Sequence, residues 1–253
     1  MPYVLVNVSE RVATITLNDP SRRNAINLTL NDELIAALDE IEARDDVGSI
    51  VLTGAPPAFC AGADLEDLKN SRHRESLGKI YAGFLRIAHT PLPTVAAVNG
   101  AAVGAGMNMA LACDVIIAAR GARFDTRFMQ IGIHPGGGHT WRLRRLTDHQ
   151  TVMAMVLFGE AVDGERAAEI GLAWRCVDDA ELLATATALA SRAASFPREL
   201  TSRTKSTIQL LQGIDTSEQA VAHELDPQAW SMDQPPFMEL VTKLQEQISR
   251  GKK

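Results

Sequence analysis

Three cysteines in 253 residues, Cys60, Cys113 and Cys176, are too few, too scattered and odd in number to make a disulfide framework or a zinc site. A reducing, cytosolic setting is expected, with no metal. No apolar run approaches the ~20 residues of a membrane span. The opening MPYVLVNVSE also lacks the basic start and unbroken apolar stretch of a secretion signal, so neither export nor membrane insertion is expected. Basic residues are short as well. The 25 Lys and Arg against 31 Asp and Glu leave a net charge of −6 and no concentrated basic face, which excludes a nucleic-acid partner. The one basic cluster, Arg142, Arg144 and Arg145, is expected to be a solvated helix face. Internal repeats and low-complexity linkers are missing too.

What is present is an ordinary globular composition, 46% hydrophobic and 22% charged, in a chain long enough for one large domain or a core with a smaller appendage. Tyr3 to Val8 alternates, and so does Arg11 to Leu17, with Glu10 in the break between them; this predicts a β-hairpin. From Thr29 to Arg44 the period changes, because Leu30, Leu34, Leu38 and Ile41 form the stripe of an amphipathic helix. SIVLT (49–53), TVAAV (94–98) and VIIA (115–118) read as buried strands separated by helical segments, an α/β architecture with crossovers. After Asp178 the spacing is helical, and breaks at Pro197, Pro227 and Pro235-Pro236 predict three or four helices.

Two segments carry chemistry. In AFCAGADLEDL (58–68) a strand runs through Gly62 into a helix that Asp64 can cap, which leaves first-turn N–H groups free to face a ligand oxygen. In AVNGAAVGAGMNMALACD (97–114) the small residues Gly104-Ala105-Gly106 precede a helix whose start adds about half a unit of positive charge. An anionic oxygen would be stabilised there. Gly104 and Gly106 also match the first two glycines of a dinucleotide fingerprint, but Met109 stands where the third is required.

Taken together, about 40 residues apart, these segments resemble the enoyl-CoA hydratase/isomerase (crotonase) superfamily. DPSRRNAIN, ACDVIIAARGARF, IGIHPGGGHTWRL and GEAVDGERAAEIGLAWRCV extend the resemblance over most of the chain. The resemblance implies an α/β fold, a spiral of ββα repeats spanning residues 1–195, with a helical C-terminal subdomain, 196–253, used in oligomerisation. It implies an acyl-CoA ligand, no further cofactor, and a homotrimer or dimer of trimers. The family's shared chemistry, stabilisation of a thioester enolate by two peptide N–H groups, falls on Ala63 and Ala105. Arg23, Ala25, Ala61, Asp64 and Leu65 fall on the positions that contact CoA, with Arg22 or Arg23 suited to a phosphate.

Hydratases of this family use two glutamates to position water. Here those places are held by Asn108 and Phe128, neither of which takes up a proton. Each such group contributes typically 10²–10⁴-fold. Asp125, His134 and Asp67 are the candidate replacements; the plainer readings are an Asp125 paired with Arg123 or Arg127 and a His134 that caps the turn. His139 is assigned to the turn and helix after Gly138. Two functions follow: an enzyme of acyl-CoA metabolism, isomerase or lyase, with a relocated acid or base, or a non-catalytic acyl-CoA carrier or sensor.

Overall fold

The computed structural model describes residues 1–71 and 73–250. Strands β1 (Val4–Ser9) and β2 (Val12–Leu17) form the antiparallel hairpin, turned by Glu10 and Arg11 at φ 47° and 66°. Helix α1 (Leu28–Glu42) begins where the Asn27 side chain accepts from the Leu30 N–H, and it buries Leu30, Leu34, Leu38 and Ile41. Each such leucine contributes roughly 2 kcal/mol through burial.

A strand–strand–helix unit is then repeated. Its members are β3 (Ser49–Gly54), β4 (Ala58–Cys60), α2 (Leu65–Asn70) and α3 (Arg74–Ala88); β5 (Thr94–Val98), β6 (Ala101–Val103) and α4 (Ala105–Leu111); and β7 (Val115–Ala119), β8 (Arg123–Asp125), α5 (His139–Leu146) and α6 (His149–Leu157). The chain continues through β9 (Val162–Asp163), α7 (Gly164–Glu169), β10 (Arg175–Val177) and α8 (Leu182–Ala194). Among the described residues the first strand of each unit joins a six-stranded sheet, β1-β2-β3-β5-β7-β10, and the second a four-stranded one, β4-β6-β8-β9. Each turn of the spiral thus adds one strand to both sheets.

The large sheet is covered on both faces. Ala13, Ile15, Ile50 and Leu52 point into the main core with the α1 leucines, while Val12, Val51, Val95 and Ile117 meet Leu182, Ala186, Ala190 and Ala194 of α8. Those four recur every fourth residue, one narrow stripe, and three are alanines, which lets the helix lie close to the sheet.

Residues Met1–Ser195 form one compact unit and the chain from Phe196 a second. The second contains α9 (Arg198–Leu211), α10 (Ser217–Met232) and α11 (Pro235–Arg250). Pro197 precedes α9 and the Pro235-Pro236 pair opens α11, as expected of prolines at helix starts. Pro227 corrects the sequence reading. It lies inside α10 rather than at a break. It removes only the hydrogen bond to the His223 carbonyl, on an exposed face that water can reach, and helix formers on either side carry the helix through. Among the described residues no helix is long and apolar enough to cross a membrane.

Candidate functional site

One wall of the site begins at the buried Asn24. Its Nδ2 donates to the carbonyls of Ala55 and Ala58 at 2.8 Å and of Phe59 at 3.2 Å, while its Oδ1 accepts from the Asp19 N–H at 2.9 Å. These bonds hold Arg23 and Asn24 at φ 53° and 58° and lay the next residues beside the end of β4. There Ala61 N–H donates to Arg23 O at 3.0 Å, Ile26 N–H to Gly62 O at 2.8 Å and Asp64 N–H to Ile26 O at 2.8 Å. The last two make a parallel bridge between Ile26 and Ala63. In such a bridge both bonds on this strand come from the neighbours of Ala63, so its own N–H faces away from Ile26. Gly62 is needed beside it: φ is +107°, and a Cβ there would stand 2.9 Å from the Val103 carbonyl.

Asp64 caps α2 by accepting from Glu66 and Asp67 N–H, and it pairs at 3.6 Å with Arg22. The five residues expected at CoA, Arg23, Ala25, Ala61, Asp64 and Leu65, therefore lie on two adjoining segments of one wall. Leu65 is exposed there.

The adjoining wall is the start of α4. Parallel pairing of β4 with β6 sets it beside Cys60, and Gly106 allows a close approach, since a Cβ would fall 2.2 Å from the Cys60 carbonyl. Ala105 is the first residue of α4, so its N–H has no partner within the helix. Neither this N–H nor that of Ala63 has an acceptor among the described residues. Cys60 is no nucleophile, because burial pushes its thiol up to about 12.

The two expected glutamate positions meet in one corner. Asn108 is fully buried; its Nδ2 donates to the Gly136 carbonyl at 3.0 Å, and its Oδ1 accepts from Nδ1 of His139 at 2.8 Å. Phe128 is buried too, and its ring meets the His139 ring edge-on with centroids 4.9 Å apart. His139 opens α5 but turns inward, 1% exposed, and its Nε2 has no hydrogen-bond partner among the described residues. Burial, and then the charge of Arg142, pull its pKa down to about 4.

The other candidates lie elsewhere. Asp125 is buried against the Arg127 guanidinium, with Arg123 at 3.8 Å, the paired arrangement weighed from sequence. His134 is exposed and its Nδ1 lies 2.7 Å from the Pro135 carbonyl. Asp67 accepts from the Leu28 N–H at 3.2 Å and ties α2 to the start of α1. Sequence reasoning missed the inward turn of His139; the available signal was a histidine placed directly after the three-glycine turn 136–138. It also placed Arg142 on a solvated face, whereas Arg142 is partly buried, donates to Gly137 O at 2.6 Å and lies over the Phe84 ring. No three His, Cys, Asp or Glu side chains gather into a metal-binding group among the described residues.

Comparison with known proteins agrees with this architecture. The family described as enoyl-CoA hydratase/isomerase matches residues 7–234. A probable enoyl-CoA hydratase of Mycobacterium tuberculosis is 44% identical over 242 residues, covering 92% of this chain and 94% of the relative. The 1,2-epoxyphenylacetyl-CoA isomerase of Escherichia coli is 38% identical over 204 residues, 78% of each chain. Among solved structures, enoyl-CoA hydratase from Bacillus anthracis superposes with a TM-score of 0.91 at 27% identity, covering 97% of this chain and 96% of that one. The chain belongs to the enoyl-CoA hydratase/isomerase family.

Proposed function

We propose that this protein binds an acyl-CoA thioester and stabilises its enolate on the peptide N–H groups of Ala63 and Ala105, acting as an isomerase or lyase of acyl-CoA metabolism. The observation that carries this is the pair of unpartnered N–H groups on adjoining walls, one aimed by the Ile26 bridge and the other by the start of α4. A donor so placed is worth ~3–4 kcal/mol when charge develops on the oxygen it meets. Arg23, Ala25, Ala61, Asp64 and Leu65 supply the neighbouring surface for CoA. Hydration by paired glutamates is not the reaction, because Asn108 is engaged at both ends of its amide and Phe128 has no proton to exchange.

A carrier or sensor that binds without turnover is the second reading, and the same two replacements favour it. Exposed apolar residues on the helices after Phe196, among them Ile208, Leu225 and Met238, support self-association as a homotrimer or dimer of trimers.

Ala105→Pro tests the first reading. Proline suits the opening position of a helix, so α4 keeps its start while one donor disappears. Calorimetry with a panel of enoyl- and 3-hydroxyacyl-CoA thioesters, alongside absorbance at the enoyl-thioester band, should show turnover falling 10²–10³-fold with a much smaller change in binding. Unchanged turnover in this variant would remove Ala105 from the proposal; binding with no turnover in the unaltered protein would leave the carrier.

A further inference from the structure

We propose that Arg142, the Tyr81 hydroxyl and the glycine turn 136–138 form a binding site for a carboxylate group. Arg142 is partly buried in α5, and among the described residues no Asp or Glu pairs with it. A guanidinium has five N–H donors; here one, on Nη1, meets an acceptor among the described residues, the Gly137 carbonyl at 2.6 Å. Its contact with the Phe84 ring, 5.9 Å from the centroid, attracts a cation without neutralising it. Burial pulls the Arg142 pKa down, and no acid beside it raises it again. Arg86, also partly buried, shows the usual remedy: both Asp39 and Glu42 hold it. A positive charge drawn out of water without such a partner is costly, and the carboxylate of a ligand would complete the pair.

The turn beside Arg142 gathers further donors. A Cβ at Gly136 would stand 2.2 Å from the Tyr81 oxygen, and one at Gly138 would stand 2.8 Å from Arg142 Nη1. Phenol and guanidinium thus fill the side-chain spaces of two residues in one short turn. Consecutive Cα atoms are ~3.8 Å apart, so these donors border a span of about 8 Å. A carboxylate accepting hydrogen bonds of ~2.8 Å at each oxygen bridges such a span. The Tyr81 hydroxyl has no hydrogen-bond partner among the described residues, and burial raises its pKa, so it keeps a proton to donate. The N–H groups of Gly137 and Gly138 also have no acceptor among the described residues, and both residues have positive φ, 67° and 80°. Consecutive N–H groups in such a turn favour an anion. Tyr81, Gly136, Gly137 and Arg142 are each partly exposed, so a ligand group can reach them.

One planar fork carrying a single positive charge suits one carboxylate better than a doubly charged phosphate. That group has two sources, a free carboxylate or the far end of a dicarboxylic acyl thioester. The second source rests on the thioester reading above; the site itself does not. Asn108 links the two places. It lies three residues after Ala105 in α4, and its Nδ2 donates to the Gly136 carbonyl at 3.0 Å. With a helical pitch of ~5.4 Å, the glycine turn is on the order of 10 Å from the start of α4, a distance that a short dicarboxylic chain covers.

The test uses the full chain, Arg142→Gln, Arg142→Lys and Tyr81→Phe, with glutarate, glutaryl-CoA and butyryl-CoA as probes. Calorimetry gives the affinities, and ¹H–¹⁵N spectra follow the Gly137 and Gly138 amides and Nε of Arg142. If the carboxylate belongs to a thioester, glutaryl-CoA should bind about 10–100-fold more tightly than butyryl-CoA, which lacks the second carboxylate. Arg142→Gln should abolish that preference and leave butyryl-CoA binding within about 3-fold. Arg142→Lys, which keeps the charge but not the fork, should retain part of it, and Tyr81→Phe should lose about 3–10-fold. If the carboxylate is free, glutarate should move the Gly137, Gly138 and Arg142 signals saturably in the unaltered protein but not in Arg142→Gln, while the two thioesters bind alike. The titrations of the unaltered protein decide the matter should a variant fail to fold. Signals that neither glutarate nor glutaryl-CoA moves, or a preference for glutaryl-CoA that survives Arg142→Gln, overturn the proposal. Failure of both thioesters to bind, with glutarate still bound at these residues, removes the thioester reading and leaves the carboxylate site standing.

Discussion

The wall made by residues 23–26 and 60–64, with the start of α4, is a backbone construction. Apart from the Asn24 anchor and the Asp64 cap its hydrogen bonds join peptide groups, its side chains are mostly small, and its shape depends on where glycine lets chains approach. The corner made by Asn108, Phe128 and His139 is a side-chain construction, in which each contact depends on the identity of one residue. Peptide groups survive most substitutions, so the first wall tolerates side-chain change, whereas the second depends on each residue it holds. Under the proposed function, binding and oxygen stabilisation fall to the backbone wall.

The sharpest way to break this contrast is Gly106→Val. A Cβ there would stand 2.2 Å from a carbonyl in a paired strand that cannot easily yield, so a loss of about 3 kcal/mol or more is expected in denaturant melts, with thioester binding lost as well. The corner should answer to a different kind of change. Asn108→Ala strands the Gly136 carbonyl and the His139 Nδ1–H together, and about 2–4 kcal/mol of stability should disappear in the same assay.

The corner should also respond to acid. His139 has a folded pKa of about 4 against an ordinary 6.5, so on acidification the unfolded chain takes up its proton first. Its contribution to stability is full above about pH 6.5, declines from there to about pH 4, and is flat below. On the order of 2 kcal/mol should be gone by pH 5, and that component should vanish in His139→Gln. The smallest effect is expected back on the backbone wall. Leu65→Ala removes an exposed side chain and should shift stability by no more than about 0.5 kcal/mol.

The same contrast separates what is legible in the sequence from what is not. Thr94–Val98 was legible as a strand because an apolar run between turn residues needs no partner to be recognised, and all four residues of the 30–41 leucine and isoleucine stripe are buried. Strand β4 was legible as the stretch leading into Gly62, but β6 and β8 were not legible as strands, since three residues show no alternation and their pairing is non-local. On the backbone wall, glycine and alanine announced close approach, and Asp64 announced a cap. The corner was hidden: Asn108 and His139 lie 31 residues apart, and only the fold of the glycine turn brings them to hydrogen-bonding distance. Pro227 marks the opposite failure, a local rule overruled by the helix around it.

Parallel pairing of β4 with β6 has one more result. Ala63 and Ala105 lie within three residues of the ends of β4 and β6, strands of successive spiral turns that pair in one sheet, so they are anchored to that sheet rather than to two independent loops. Thermal motion that displaces one should carry the other along, and the gap between their amides should persist through fluctuations that would open a hinged pair. Under the proposed function, selection for a new acyl chain then falls on the surrounding walls, with the gap acting as a ruler that the fold does not allow to stretch.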